Sequence, residues 1–226
     1  MLRANEDLHG NAPDKSDVVL LIIDMINDLE FPGADRLLEY ALPTARRIVA
    51  LKRRARAAGV PIIYVNDNFG RWRSNFSAQV EHCLHDNVRG RPLAELLQPD
   101  DDDYFVLKPK HSGFFSTTLD LLLEHLQARC VVLTGIAGNI CVLFTAHDAY
   151  LRDLRVVVPA DCVASNTVEE NCNALEQMAK VVKADTRRST EIDFKQLAKR
   201  DRARQRSSRP RRAKRRRATG NASGDA

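Results

Sequence analysis

The sequence predicts an α/β protein, a three-layer α/β/α sandwich built on a mostly parallel six-stranded sheet. Two observations carry this. Short runs that are apolar throughout recur along the chain, the first being DVVLLIID at Asp17–Asp24. Strands without polar alternation are buried on both faces, as in parallel sheets covered by helices. Between the runs lie segments with helical spacing of apolar residues, long enough to be the crossovers that parallel neighbours require.

Taken in order, the first run ends in an acid, Asp24, and Val60–Asp67 (VPIIYVND) repeats the pattern after a helix-like stretch, Asp35 to Ala58, that closes on Gly59. Gly just past the last periodic residue is a helix stop. Further strands are expected at Tyr104–Leu107 (YFVL), Cys130–Thr134 (CVVLT), Val156–Val158 and Val181–Ala184, with helices such as Thr117–Leu126 and Asn139–Leu151 between them. Ligands of such sheets sit outside the carboxyl ends of the strands. Asp24, Asp67, Lys108 and the chain from Gly135 onward all fall there.

A chain of 226 residues with 44% apolar content supports one core of ordinary size. Residues 16–198 read as one domain, after a lead segment 1–15 and before a basic tail 199–226. The tail holds 12 Lys/Arg and 2 Asp/Glu, leaving 23 against 28 in residues 1–198, so the overall +5 conceals a body of net −5. Without hydrophobic periodicity the tail reads as disordered. Its arginines could make non-specific contact with nucleic acid, anionic lipid or an acidic partner, but composition favours a merely solvated tail and no specific partner is assigned. The five cysteines, Cys83, Cys130, Cys141, Cys162 and Cys172, are odd in number and lack CxxC spacing, which points away from disulfides and zinc. Charged residues at Glu6, Asp7 and Asp14 argue against a signal peptide, and no apolar run approaches the ~20 residues of a membrane span. A cytoplasmic protein without a membrane partner is expected.

The most informative stretch is LTGIAGNICV, Leu133–Val142, where a buried strand runs into small residues and then into a helix beginning near Asn139. Cys141 would lie in its first turn, where free amides and the helix dipole lower a thiol pKa and favour a nucleophile. Taken alone, a cysteine at a helix start is more often a small buried hydrophobe. Asp24 after VLLII is costly to bury unless its charge is used. Lys108, within KPKHSGFF, could pair with Asp24 or support a thiolate at Cys141. The bland alternatives are a cap or salt bridge for Asp24 and a surface loop for Lys108. An acid, a base and a thiol at one sheet edge nevertheless form a coherent catalytic set.

These residues resemble the isochorismatase-like cysteine hydrolases over about residues 16 to 190. The likeness rests on Asp24 with Asn27 and Asp28 after it, the KxxxSxF pattern at Lys108, Ser112 and Phe114, and GIAGNICV at Gly135–Val142. It implies that Asp24 takes the thiol proton, Lys108 supports the charge and Cys141 attacks a carbonyl. It also implies a cis peptide between Ile136 and Ala137, with the amides of Ala137 and Cys141 aimed at the oxyanion. Homo-oligomers are implied too, and Phe31 and Ser112 join the binding candidates.

Nicotinamidases of this family bind a divalent metal through an Asp-x-His pair after the second strand. Here that place reads Asn66, Asp67, Asn68, Phe69, and His82, His85 and His111 lack spacing that rebuilds a site, so neither metal nor cofactor is expected. The loop Asn68–Phe76, with Asn68, Phe69, Arg71, Trp72 and Arg73, could wall a substrate, or pack under a loop or at a subunit interface. Asn166, Asn171 and Cys172 look structural. The retained Cys141 favours hydrolysis of an amide, carbamoyl or ureido C–N bond in a small molecule. The alternatives are vinyl-ether hydrolysis with Asp24 as the acid, and a non-catalytic protein acting on nucleic acid through its tail.

Overall fold

VVLLII forms β1, Val18–Ile23, and all six side chains are buried because this strand lies mid-sheet with helices over both faces. The computed structural model describes residues 15–70 and 75–199. After β1 come α1 (Ala34–Ala57), β2 (Ile62–Asp67), α2 (Phe76–His85), α3 (Arg91–Leu96), β3 (Tyr104–Lys108), α4 (Leu119–Leu126) and β4 (Cys130–Ile136). They are followed by α5 (Leu143–Leu151), β5 (Arg155–Val157), β6 (Val163–Ala164) and α6 (Val168–Val181). The sheet order is β3-β2-β1-β4-β5, with β6 also on β4, and every pairing is parallel.

The strands split their side chains between two cores. Val18, Leu20 and Ile22 of β1 face one, with Leu37, Ile48 and Leu51 of α1, Phe76 of α2 and Leu93 of α3. Val19, Leu21 and Ile23 face the other, with Leu119 and Leu123 of α4, Ala146 of α5 and Met178 of α6. Two-residue periodicity in a continuously apolar strand thus yields three layers. The helix starts are chemically specified at Asn75, whose side chain accepts from Ala78 N, and Thr167, which accepts from Glu170 N.

Two expectations need correction. Val181–Ala184 is not a strand: Val181 ends α6, the chain turns at Lys183 with φ 57°, and only Asp185 bridges to Val157. The sixth strand is instead the two-residue β6, paired with Gly135 and Ile136. Cys141 lies in a single π turn, Gly138–Val142, ahead of α5, rather than in an ordinary first helical turn.

The order reverses between β1 and β4, since the chain leaves β1 toward β2 and β3 on one side and leaves β4 toward β5 on the other. The crevice beyond such a switch point is where α/β sheets hold their ligands. Gly135 makes it tight: at φ 111°, a Cβ there would stand 2.0 Å from the Ile23 carbonyl oxygen.

Candidate active site

β1, β2 and β3 each end in a charged residue at the same edge. Asp24 follows β1 with φ 52°, its N–H bonded to Val65 O at 2.9 Å, and Asp67 and Lys108 close β2 and β3 in register. Lys108 is fully buried, with its ammonium 2.9 Å from Asp24 Oδ2, 3.3 Å from Asp67 Oδ2 and 3.5 Å from Cys141 Sγ. Asp24, 5% exposed, also accepts the Asp67 N–H at 2.7 Å through Oδ1 and hydrogen-bonds the Cys141 thiol. The three residues expected to act together therefore do meet, and Asp67 joins them. Sequence reading placed Asp67 at a strand end without a role, although it ends β2 as Asp24 ends β1.

The electrostatics differ from the expectation at one point. Burial first, and the Asp24 carboxylate second, push the Cys141 thiol up to about 12, against the opposing pull of Lys108. The turn does not yield a standing thiolate, because desolvation of the charged sulfur outweighs the cation beside it. Burial likewise raises Asp24 above the usual carboxylate range despite Lys108, which makes it a better proton acceptor than an exposed aspartate. Burial works to lower Lys108, but Asp24, Cys141 and Asp67 overcome it and the lysine is held above its ordinary value. The thiol rests neutral, hydrogen-bonded to Asp24 and beside the Lys108 ammonium.

The peptide between Ile136 and Ala137 is cis. Gly138 follows because space allows nothing larger: a Cβ would lie 2.4 Å from Asn171 Oδ1 and 3.0 Å from Ser165 Oγ. Asn171 is held by Val163 O at 3.3 Å, and Ser165 Oγ accepts the Asn139 N–H at 3.1 Å, so α6 and β6 fix the turn that carries Cys141. Thr145 of α5 donates to Cys141 O at 2.7 Å and accepts from Gly113 N at 3.0 Å.

The binding candidates are placed unevenly. Phe31 and Phe69, on the loops after β1 and β2, are 39% and 41% exposed. Asn68 is buried and its Oδ1 closes a turn onto Gly70 N at 2.9 Å. Ser112 is buried and engaged, donating to Asp148 and accepting from Phe114 N at 3.1 Å. Trp72 and its neighbouring arginines lie outside the described residues, as does the tail from residue 200. The donor set does not suit a divalent metal of the nicotinamidase kind. Asp67 is committed to an ammonium and Phe69 offers no donor, and among the described residues no three His, Cys, Asp or Glu side chains converge on one point.

This fold and site are those of a hydrolase. More narrowly, the chain belongs to the isochorismatase family, its residues 18–188 matching the isochorismatase domain. It is 44% identical over 171 residues to the uncharacterized isochorismatase family protein YaaI of Bacillus subtilis, covering 76% of this chain and 93% of that one. With the ureidoacrylate amidohydrolase RutB of Methylorubrum extorquens it shares 27% identity over 175 residues, 66% of this chain and 70% of the relative. Among solved structures, the N-carbamoylsarcosine amidase from Thermoplasma acidophilum matches with TM-score 0.58 and 28% identity, over 78% of this chain and 99% of that one. Among the described residues, no helix is long and apolar enough to cross a membrane.

Proposed function

We propose that this hydrolase cleaves a non-peptide C–N bond, in an amide, carbamoyl or ureido group of a small molecule, through a thioester on Cys141. The observation that supports it is the buried Lys108 ammonium within 2.9 Å of Asp24 and 3.5 Å of Cys141. Relatives named as an amidohydrolase and an amidase favour the C–N bond as the target.

Asp24 takes the thiol proton as Sγ attacks the carbonyl carbon, so that a C–S bond forms while the carbonyl electrons move onto oxygen. Coupling the two events suits a thiol at about 12, since no free thiolate has to accumulate first. Lys108 keeps a positive charge beside the developing negative one, in a site where burial strengthens each interaction. The amides of Ala137 and Cys141 receive the oxyanion. Collapse breaks the C–N bond, the leaving nitrogen receives the proton from Asp24, and water, deprotonated by the same carboxylate, releases the acyl group and restores the thiol.

The test is a screen of amides, carbamoyl and ureido compounds with mass spectrometry for an acyl adduct, run against Cys141→Ala. The variant is expected to fold normally and to lose turnover by about 10⁴-fold or more, as removal of a covalent nucleophile does. Turnover retained by Cys141→Ala overturns the mechanism.

A further inference from the structure

Asp67 is tied to both Asp24 and Lys108. Its backbone N–H donates to Asp24 Oδ1 at 2.7 Å, and its carboxylate Oδ2 meets the Lys108 ammonium at 3.3 Å. Lys108 in turn meets Asp24 Oδ2 at 2.9 Å, so the three residues close a ring. The other Asp67 oxygen, Oδ1, accepts the Phe69 N–H at 2.7 Å in the turn after β2. With both oxygens engaged, the side chain is aimed at the lysine rather than loose in solvent.

The ammonium has three N–H groups and three acceptors to share them among, Asp24, Asp67 and Cys141 Sγ, the last at 3.5 Å. Whatever it gives Asp67 it withholds from the other two. The two carboxylates differ in surroundings, since 30% of the Asp67 side chain is exposed against 7% for Asp24. Water solvates the Asp67 charge, whereas a charge on Asp24 depends on what the ammonium supplies. A Lys108 committed wholly to Asp24 would leave a weak base, because a close cation favours the ionised carboxylate. A second carboxylate on the same ammonium opposes this twice over: it draws the cation aside, and it repels negative charge on Asp24.

We propose that Asp67 is a positioning residue, which shares Lys108 so that Asp24 stays able to take the proton of Cys141. This rests on the proposed role of Asp24 as the base. The titratable groups that meet Asp24 are Lys108 from β3, Cys141 from the π turn ahead of α5 and Asp67, through its backbone, from β2. Burial raises Asp24, Lys108 pulls it down, and Asp67 limits that pull.

The experiment is alkylation of Cys141 in the full chain by iodoacetamide between pH 4 and pH 9, read by mass spectrometry of the peptide that carries it. Sγ displaces iodide from carbon and the thiol proton passes to Asp24, so the rate falls at low pH as Asp24 becomes protonated. The readout does not require turnover. Wild type should show this acid limb. In Asp67→Asn, which keeps an acceptor for Phe69 N, the limb should move about one pH unit lower, and the rate above it should fall a few-fold, as a weaker base dictates. Asp67→Ser, whose hydroxyl also accepts from Phe69 N, carries the same comparison where Asp67→Asn folds poorly. An acid limb that stays in place, whatever the change in Tm, overturns the role of Asp67 and leaves Asp24 as the base. No acid limb in wild type overturns that base, and the role of Asp67 falls with it.

Discussion

Lys108 is the residue on which the local electrostatics turn. An isolated ammonium at zero exposure would lose its proton, yet three anionic or acidic partners hold this one charged. Because its folded value lies above the ordinary 10.5, its contribution to stability is fully present below that pH and is lost as pH rises through the folded value. Cys141 acts in the same direction: its thiol ordinarily ionises near 9.0 but in the fold only near 12, so folding loses stability across that interval. Equilibrium unfolding measured from pH 7 to pH 12 should therefore show a steep alkaline decline. Lys108→Met should be less stable at pH 7.5 by about 3–5 kcal/mol, the usual result of stripping one partner from a buried ion pair. Its alkaline decline should also be shallower than that of wild type. Equal slopes for the two proteins would mean that the lysine is not the coupled group.

At the scale of elements, α5 organises the site through one face. Cys141 O, Thr145, Asp148 and Arg152 follow one another at three- and four-residue intervals. Thr145 bonds Gly113 N, Asp148 accepts from Ser112, and Arg152 stacks over the Phe114 ring at 4.5 Å. The loop that follows Lys108 is thus clasped to the helix that follows Cys141. The KxxxSxF half of this clasp is readable in sequence because its spacing is short and unusual. The α5 half is not, because Thr145, Asp148 and Arg152 look like ordinary helix-surface residues until tertiary structure brings the loop against them. Replacing Thr145 by Val, which keeps the shape and deletes both hydrogen bonds, should lower kcat by about 10–100-fold for the ~1–3 kcal/mol such bonds carry. KM should change little and Thr145→Ser should recover most of the rate. If Thr145→Val lowers Tm but leaves kcat intact, the clasp serves folding alone.

Over the whole molecule, five strands and their crossovers are legible because continuous apolar runs bounded by Gly, Pro or charge have few other readings. The sixth is not. A four-residue apolar run such as Val181–Ala184 fits a helix end as well as a strand, and two residues of β6 are too few to leave a pattern. The same sheet separates stability from chemistry. Asp103 precedes β3 and Lys108 ends it, so the two lie about 16 Å apart along an extended strand. At the Asp103 end, Lys52 of α1 holds Asp103 at 2.8 Å, Asp100 at 3.0 Å and Tyr64 OH at 2.9 Å, with Arg56 gripping the same aspartates. This latch seals the edge of the sheet opposite the site. Lys52→Met should destabilise by about 3 kcal/mol, toward the lower end for a buried pair because Arg56 still partners Asp103. Turnover measured well below Tm should stay within about twofold of wild type, since ordinary distant sites add independently. A fall in kcat larger than the fall in folded fraction would show that the two ends of the strands are coupled.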